Sequence, residues 1–266
     1  LKKYNCQMIL SNDFLLRYPN QVLNDEILID ENQNIFSKVN MILSVGGDGT
    51  LLSTVRMVGK NPIPILGVHI GRLGFLAGCN LDDLDIAIKH IVNGDYIIEK
   101  RSLIKCMFNL EKNKNTVYAL NDIVVHNRYS GRLLNIKVST NNELVNTYLS
   151  DGIIFSTPTG STAYSLSAGG PIIHYDLETI TLTPICPHSL SARPIVLSDK
   201  TILNITFPDH SPKIGLSVDG QIKYDIDSNT EIRILKANYY ARLIQFSFNK
   251  YFSSLKNKMG WVNEVR

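Results

Sequence analysis

Gly46-Gly47-Asp48-Gly49-Thr50 lies between an apolar run, Met41–Val45, and a helix-like segment, Leu51–Gly59. Glycines at such a junction let backbone N–H groups approach an oxygen-rich ligand, and the helix start that follows favours negative charge. Two familiar phosphate loops do not fit. Read as Gly47-x-Gly49-x-x, the third glycine position holds Leu52, and no Gly-Lys-Ser/Thr follows. Asp48 is the informative departure. A carboxylate beside bound phosphates repels them unless it holds a cation or accepts a proton from an attacking hydroxyl. The residues leave a second role open, that of N-cap for the helix, which Asp suits well.

A second candidate runs from Ser150 to Pro171. A strand-like stretch enters a turn with Pro158 and Gly160, and six of the nine residues Thr157–Ser165 carry hydroxyls. Small residues there allow a flat ligand to pack closely, the hydroxyls suit a ribose or an amide, and Tyr164 suits stacking on a ring. A Ser/Thr-rich loop with a capped helix accounts for one or two of these hydroxyls, so a ligand is the expected partner of the rest. The third candidate is Asn121-Asp122, inside the apolar run Tyr118–Val125. Neighbours in a strand point to opposite faces, so both reach one ligand only where the backbone bends or ends. A solvated edge is the alternative. Asp219-Gly220-Gln221 reads first as a tight hairpin turn, from which Gln221 could still reach a ligand. His126, His174 and His188 lack metal-ligand spacing, and Arg132 is an isolated cation.

Two kinds of scaffold must position these residues. Up to residue 96, strand-like and helix-like segments alternate: Lys3–Leu10, Met41–Val45 (expected to be buried), Leu51–Gly59, Ile63–Val68 and the helical Leu81–Val92. In the last, Leu81, Leu84, Ile88 and Ile91 repeat at helical spacing. That alternation predicts a parallel α/β sheet. From residue 97 to 248 short β-type runs separated by turns, among them Thr116–Val125, Lys213–Val218, Glu231–Leu235 and Leu243–Phe248, predict a β-rich second domain. Residues 249–266 return to helical spacing through Phe252, Leu255 and Met259.

Composition narrows the function classes. The 27 Lys+Arg and 24 Asp+Glu among 266 residues leave +3 with no basic block, which argues against a nucleic-acid partner. Hydrophobic residues at 44% and charged residues at 19% describe an ordinary globular chain. Cys6, Cys79, Cys106 and Cys186 are scattered without CxxC pairing, so a reducing compartment, the cytoplasm, is expected. No apolar run has the ~18 residues of a membrane helix, and no membrane partner is expected. Because the chain starts with Leu1, a natural N-terminus, with any targeting segment it carries, is expected upstream.

Together these segments resemble the NAD kinase family. The likeness spans GGDGT at Gly46–Thr50, HIGRLGFL at His69–Leu76, LNDIVVHNR at Leu120–Arg128 and the long block Ser150–Ile172. It continues through ICPHSLSARPIV at Ile185–Val196 and VDGQ at Val218–Gln221. GGDG alone is shared with lipid kinases; the block around TPTGSTAY and GGP is far more specific. The resemblance implies a Rossmann-like α/β domain, its first strand upstream of Leu1, joined to an all-β domain, with NAD bound between them and the C-terminal helical segment returning to the first domain. It implies phosphoryl transfer from ATP or polyphosphate to the adenosine ribose 2′-hydroxyl of NAD, with Mg²⁺ arriving on the donor. It makes Asp48 the general base in a loop shaped by Gly47 and Gly49, and places Phe75 at the adenine. Asn121 and Asp122 match the pair that binds adenine and ribose, Asp standing where Glu is commoner. Arg132, Asp151, Thr162, Ala163, Tyr164, Ser167 and Gln221 match other nucleotide-contacting positions. Leu149 departs from the Lys or Arg common there, which puts one polar contact in question. A homodimer or homotetramer, assembled through the β-rich domain near Ile185–Val196, is implied too. The alternatives are a lipid kinase of the diacylglycerol or sphingosine type, expected to carry an apolar cleft, and a non-catalytic NAD-binding sensor.

Overall fold

The computed structural model describes residues 4, 6–10, 27–28, 35–71, 74–110, 113–128, 133–141, 143–208, 214–247 and 251–261. Arg132 lies outside the described residues, as do Lys3, Asn5, Lys213 and Phe248 of the expected strands. The chain divides into two compact units, Leu1–Thr54 with Asn61–Glu99 and Arg242–Arg266, and Val55–Lys60 with Lys100–Ala241.

The first unit opens with a parallel pair of two-residue strands, β1 (Ile9–Leu10) and β2 (Ile27–Leu28). Its centre is β3 (Ile42–Gly46), the first part of α1 (Asp48–Val58, which ends in the second unit), β4 (Ile65–His69), β5 (Cys79–Asn80) and α2 (Leu84–Asn93). β3, β4 and β5 pair in parallel, as the alternation of strand and helix patterns predicts. β4 is buried along Ile65–Val68, the pattern of a strand covered on both faces. β3 is not the buried strand its apolar sequence suggests. Only Ser44 is buried and Val45 is 47% exposed, because among the described residues β3 pairs with β4 alone. α2 packs Leu84, Ala87 and Ile91 against Leu66, Val68 and Phe246. Leu81, expected on that helix face, precedes the helix and is 49% exposed. The helix stops at Gly94, whose φ of 79° is left-handed and lets its N–H reach the carbonyl of Ile91.

The second unit is a sandwich of two sheets. Its strands are β6 (Ile97–Leu110), β7 (Asn113–Ala119), β8 (Asp122–Asn127), β9 (Leu134–Ser139), β10 (Leu144–Ser150) and β11 (Gly152–Ser156). After the short helix α3 (Tyr164–Ser167) come β12 (Thr179–Ile185), β13 (Ile195–Ser198), β14 (Leu203–Thr206), β15 (Ile214–Val218), β16 (Ile222–Ile226) and β17 (Ile232–Gln245). One sheet runs β13-β12-β11-β8-β15-β16, all antiparallel. The other contains β10-β9-β14-β17, with β6 beside β17 and β7 beside β6. Ile123, Val125, Ile153, Phe155, Leu216 and Val218 from the first sheet meet Ile136, Val138, Leu203, Ile205, Ile232 and Ile234 from the second. Each such side chain contributes roughly 1.5–3 kcal/mol when fully buried. Three expectations change. The apolar run at residues 116–125 is two strands, because the chain bends at Leu120-Asn121. The separate runs at 231–235 and 243–248 are one strand, β17. β13 carries no strong strand signal of its own. The last residues of β17 return to the first unit, where Leu243 pairs in parallel with Ile65 and α4 (Tyr251–Met259) follows.

Candidate active site

In the first unit Asp48 is the first residue of α1, but its carboxylate does not cap the helix. Gly47 O receives the N–H groups of Thr50 and Leu51, while Asp48 Oδ2 accepts the backbone N–H of Phe75 at 3.2 Å. Asp48 Oδ1 is shielded from water and has no hydrogen-bond partner among the described residues. It lies against Gly74, where a Cβ would overlap the carboxylate. The side chain as a whole stays 36% exposed. A carboxylate with one hydrogen bond keeps most of its acceptor capacity for a ligand. From α4, Lys258 Nζ lies 4.0 Å from Asp48 Oδ2 and 4.2 Å from the centre of the Phe75 ring. Burial pushes this ammonium below the usual lysine range, and the Asp48 charge pulls it part of the way back. His69 stands beside Gly47, its Nδ1 buried without a hydrogen-bond partner among the described residues.

The second unit holds a pocket of about 420 Å³ lined by Asn121, Asp122, Val124, His126, Ala163, Tyr164, Ser217, Asp219, Gly220 and Lys223. Strand alternation explains its floor. Ile123 and Val125 of β8 enter the core, so Asp122, Val124 and His126 share the other face. Register places Val124, Ser217 and Lys223 in one cross-strand row. Asn121 joins Asp122 because it precedes the strand, and one side chain holds that bend. The Asp219 carboxylate accepts the N–H groups of Leu120 at 3.1 Å, Asn121 at 2.7 Å and Asp122 at 3.2 Å. Asp219 occupies the β15–β16 turn with φ of 50°, followed by Gly220 at 66°. Arg56 lies 3.9 Å from Asp219 Oδ2 and donates to Gln221 Oε1. Two acids are thus buried close together. Burial first, then the Asp219 charge, pushes Asp122 up to about 7. Burial also raises Asp219, opposed by its three N–H bonds and Arg56.

The hydroxyl-rich run is used differently from its sequence reading. Thr157 Oγ1 donates to Leu120 O and accepts from Gly160 N, and Ser156 Oγ bonds Thr157 O. Ser161 holds both the carbonyl and the N–H of Ile173, Ser165 pairs with Thr183 at 2.8 Å, and Thr162 bonds Thr159 O. These groups brace the loop against the Asn121 bend; a Cβ at Gly160 would strike the Asn121 backbone. Ala163 and Tyr164 are the members of the run that face the pocket, with Tyr164 47% exposed.

Comparison with known proteins decides the family. A model of the ATP-NAD kinase N-terminal domain matches residues 21–96, and one of the ATP-NAD kinase C-terminal domain matches residues 120–246. An NAD kinase of Thermoanaerobacter sp. (strain X514) is 37% identical over 249 residues, covering 91% of this chain and 87% of the relative. That of Caldanaerobacter subterraneus subsp. tengcongensis is 41% identical over 228 residues, covering 85% and 80%. The chain belongs to the NAD kinase family. Among solved structures, yeast NADH kinase complexed with NADH aligns with TM-score 0.88 at 28% identity, covering 98% of this chain and 80% of that one. An Archaeoglobus fulgidus NAD kinase in complex with ATP aligns with TM-score 0.75 at 26% identity, covering 97% and 100%. The expected architecture, a parallel α/β domain and a β-rich domain, is that of an NAD kinase, and the lipid-kinase alternative is set aside.

For this NAD kinase family member the structure brings Asn121, Asp122, Ala163 and Tyr164 to one pocket and sets Phe75 against Asp48. Gly47 and Gly49 flank Asp48. Asp151, Thr162, Ser167 and Gln221 do not line the pocket. Asp151 is exposed in the β10–β11 turn, its backbone tied to Asn127 and Ile185. Arg56, His126, Asp219, Lys223 and Lys258 were not singled out as site residues by type or spacing. Asp219 left a partial signal, since its Asp-Gly turn was legible. Lys258 left none, being one lysine among several in a polar helix.

Proposed function

We propose that the chain transfers the terminal phosphoryl group of ATP to the 2′-hydroxyl of the adenosine ribose of NAD, giving NADP and ADP. The observation that carries the mechanism is Asp48: oriented by Phe75 N–H, it is a carboxylate with unused acceptor capacity in a glycine-rich turn. The ribose oxygen bonds to the terminal phosphorus as the bond to the bridging oxygen of ADP breaks. The hydroxyl proton passes to Asp48 and from there to water. Such transfer passes through a loose transition state, so positioning and charge placement dominate catalysis. Asn121, Asp122 and Tyr164 supply a polar and aromatic surface for the nucleoside.

Mg²⁺ fits these residues as an ion carried by the donor. No group of three or more His, Cys, Asp or Glu gathers among the described residues, while Asp48 offers a single incompletely bonded carboxylate. The donor phosphates and water would hold the ion, with Asp48 kept as the proton acceptor, and the ion would neutralise phosphate charge. A homodimer or homotetramer is part of the proposal, supported by Leu190 at 91% and Val196 at 42% exposure in the Ile185–Val196 segment. Light scattering that finds only monomer at micromolar concentration overturns it. A cytoplasmic setting is supported by the four free thiols of Cys6, Cys79, Cys106 and Cys186. The activity is tested by incubation with NAD, ATP and Mg²⁺, reading NADP with an NADP-specific dehydrogenase. Parallel arms replace ATP with polyphosphate and NAD with NADH. No phosphorylated product in any arm refutes the reading.

A further inference from the structure

Lys258 stands 210 residues beyond Asp48 in sequence, yet α4 sets its ammonium 4.0 Å from the carboxylate. Its side chain is 26% exposed, and the Phe75 ring lies beneath the charge at 4.2 Å. The same Phe75 orients Asp48 through its backbone N–H, so one residue fixes both the acid and the cation. The separation is informative. A charge-assisted hydrogen bond between ammonium and carboxylate closes to about 2.7–2.9 Å. At 4.0 Å the two charges attract without bonding, and the ammonium's donors are not engaged by Asp48. Removing an ammonium from water is costly unless an anion compensates it. A partly exposed carboxylate at this distance and an aromatic face compensate it only in part. An oxygen-rich anion beside the base would complete the shell. The phosphoryl donor of the proposed reaction is such an anion, and an ionised Asp48 alone would repel it.

We propose that Lys258 is a further catalytic residue, binding the terminal phosphate of the donor next to Asp48; this rests on the reading of Asp48 as the base. Its ammonium offsets the repulsion between the carboxylate and the transferring group, and stays in place as negative charge redistributes over the equatorial oxygens. A lysine suits the role because it meets phosphate as a compact point charge with three rotatable donors.

The test uses the full chain with Lys258→Met, which keeps the stem and the contact with Phe75, and Lys258→Arg, which keeps the charge. Rates are measured against ATP concentration at saturating NAD. ATP and NAD affinities are measured by calorimetry and melting temperature by scanning. Lys258→Met should lower kcat/KM for ATP by about tenfold or more and weaken ATP binding, with NAD affinity and melting temperature near the parent's. Lys258→Arg should recover most of the loss. Unchanged ATP affinity and kcat/KM in Lys258→Met overturn the proposal. So does an equal loss in both variants that tracks a fall in melting temperature. If the parent binds ATP but forms no NADP, the activity reading fails, while the difference in ATP affinity still judges Lys258.

Discussion

Replacing Asp48 with Asn separates chemistry from scaffold at the centre of this site. The change preserves shape, and an amide oxygen can still accept the Phe75 N–H that Oδ2 now accepts at 3.2 Å. The start of α1 is served by Gly47 O, so no cap is lost. The charge pair with Lys258 at 4.0 Å does disappear. Both partners are partly solvated, and exposed pairs contribute about 0–1 kcal/mol, so the stability cost should stay within that range. What remains is the loss of the proton acceptor. General-base removal lowers rate by ~10²–10⁴-fold, equivalent to roughly 3–5 kcal/mol of barrier. The assay is kcat for NADP formation, with NAD affinity and melting temperature measured on the same preparation. The expected result is a kcat lower by at least ~10²-fold, with the other two near the parent's. A fall of less than about tenfold means that Asp48 is not the base. Near-normal turnover with a lower melting temperature would restore the helix-cap role.

Gly74→Ala places a methyl in the space of the Asp48 carboxylate, so kcat should fall by tens of fold, since about 1 Å of misplacement can cost ~10²-fold. Unchanged kcat would show that the base can move at no cost. Tyr164→Ala removes a ring that is 47% exposed in the pocket. A stacked aromatic contact is worth about 1 kcal/mol, so NAD affinity should weaken by about fivefold with little change in melting temperature. The reverse pattern makes Tyr164 a scaffold residue. Asp122 gives a pH signature, because its carboxyl moves from 3.8 to about 7 on folding. The folded chain then holds a proton that the unfolded chain has released, so stability is lost as pH rises through that interval. Asp122→Asn cannot ionise. Its melting temperature should therefore gain on the parent's as pH is raised from about 5 to 8, and a gap independent of pH would contradict the shift.

Local pattern made much of this protein legible. The alternating apolar spacing marked β4, α2 and most strands of the sandwich, because helix and strand periods are properties of contiguous residues. Asp48 was legible because a carboxylate between glycines has few roles beside phosphates. The Asn121-Asp122 pair declared a conflict with strand alternation, and the bend that relieves it is present. Tertiary contacts alone decided the rest. The acceptor of three N–H groups at that bend is Asp219, 97 to 99 residues away in sequence. The cation beside Asp48 comes from α4, close to the last described residue. The hydroxyls of Thr157–Ser165 look alike in sequence, yet Thr157, Ser161 and Thr162 bond within their own loop, Ser165 bonds Thr183, and Tyr164 faces the pocket. β3 reads as buried and is mostly half-buried, with Val45 exposed, because burial depends on which strands pair beside it. Periodicity records which face a residue occupies on its own element. What lies opposite that face is set by long-range packing, through contacts whose partners leave no mark on each other's neighbouring residues.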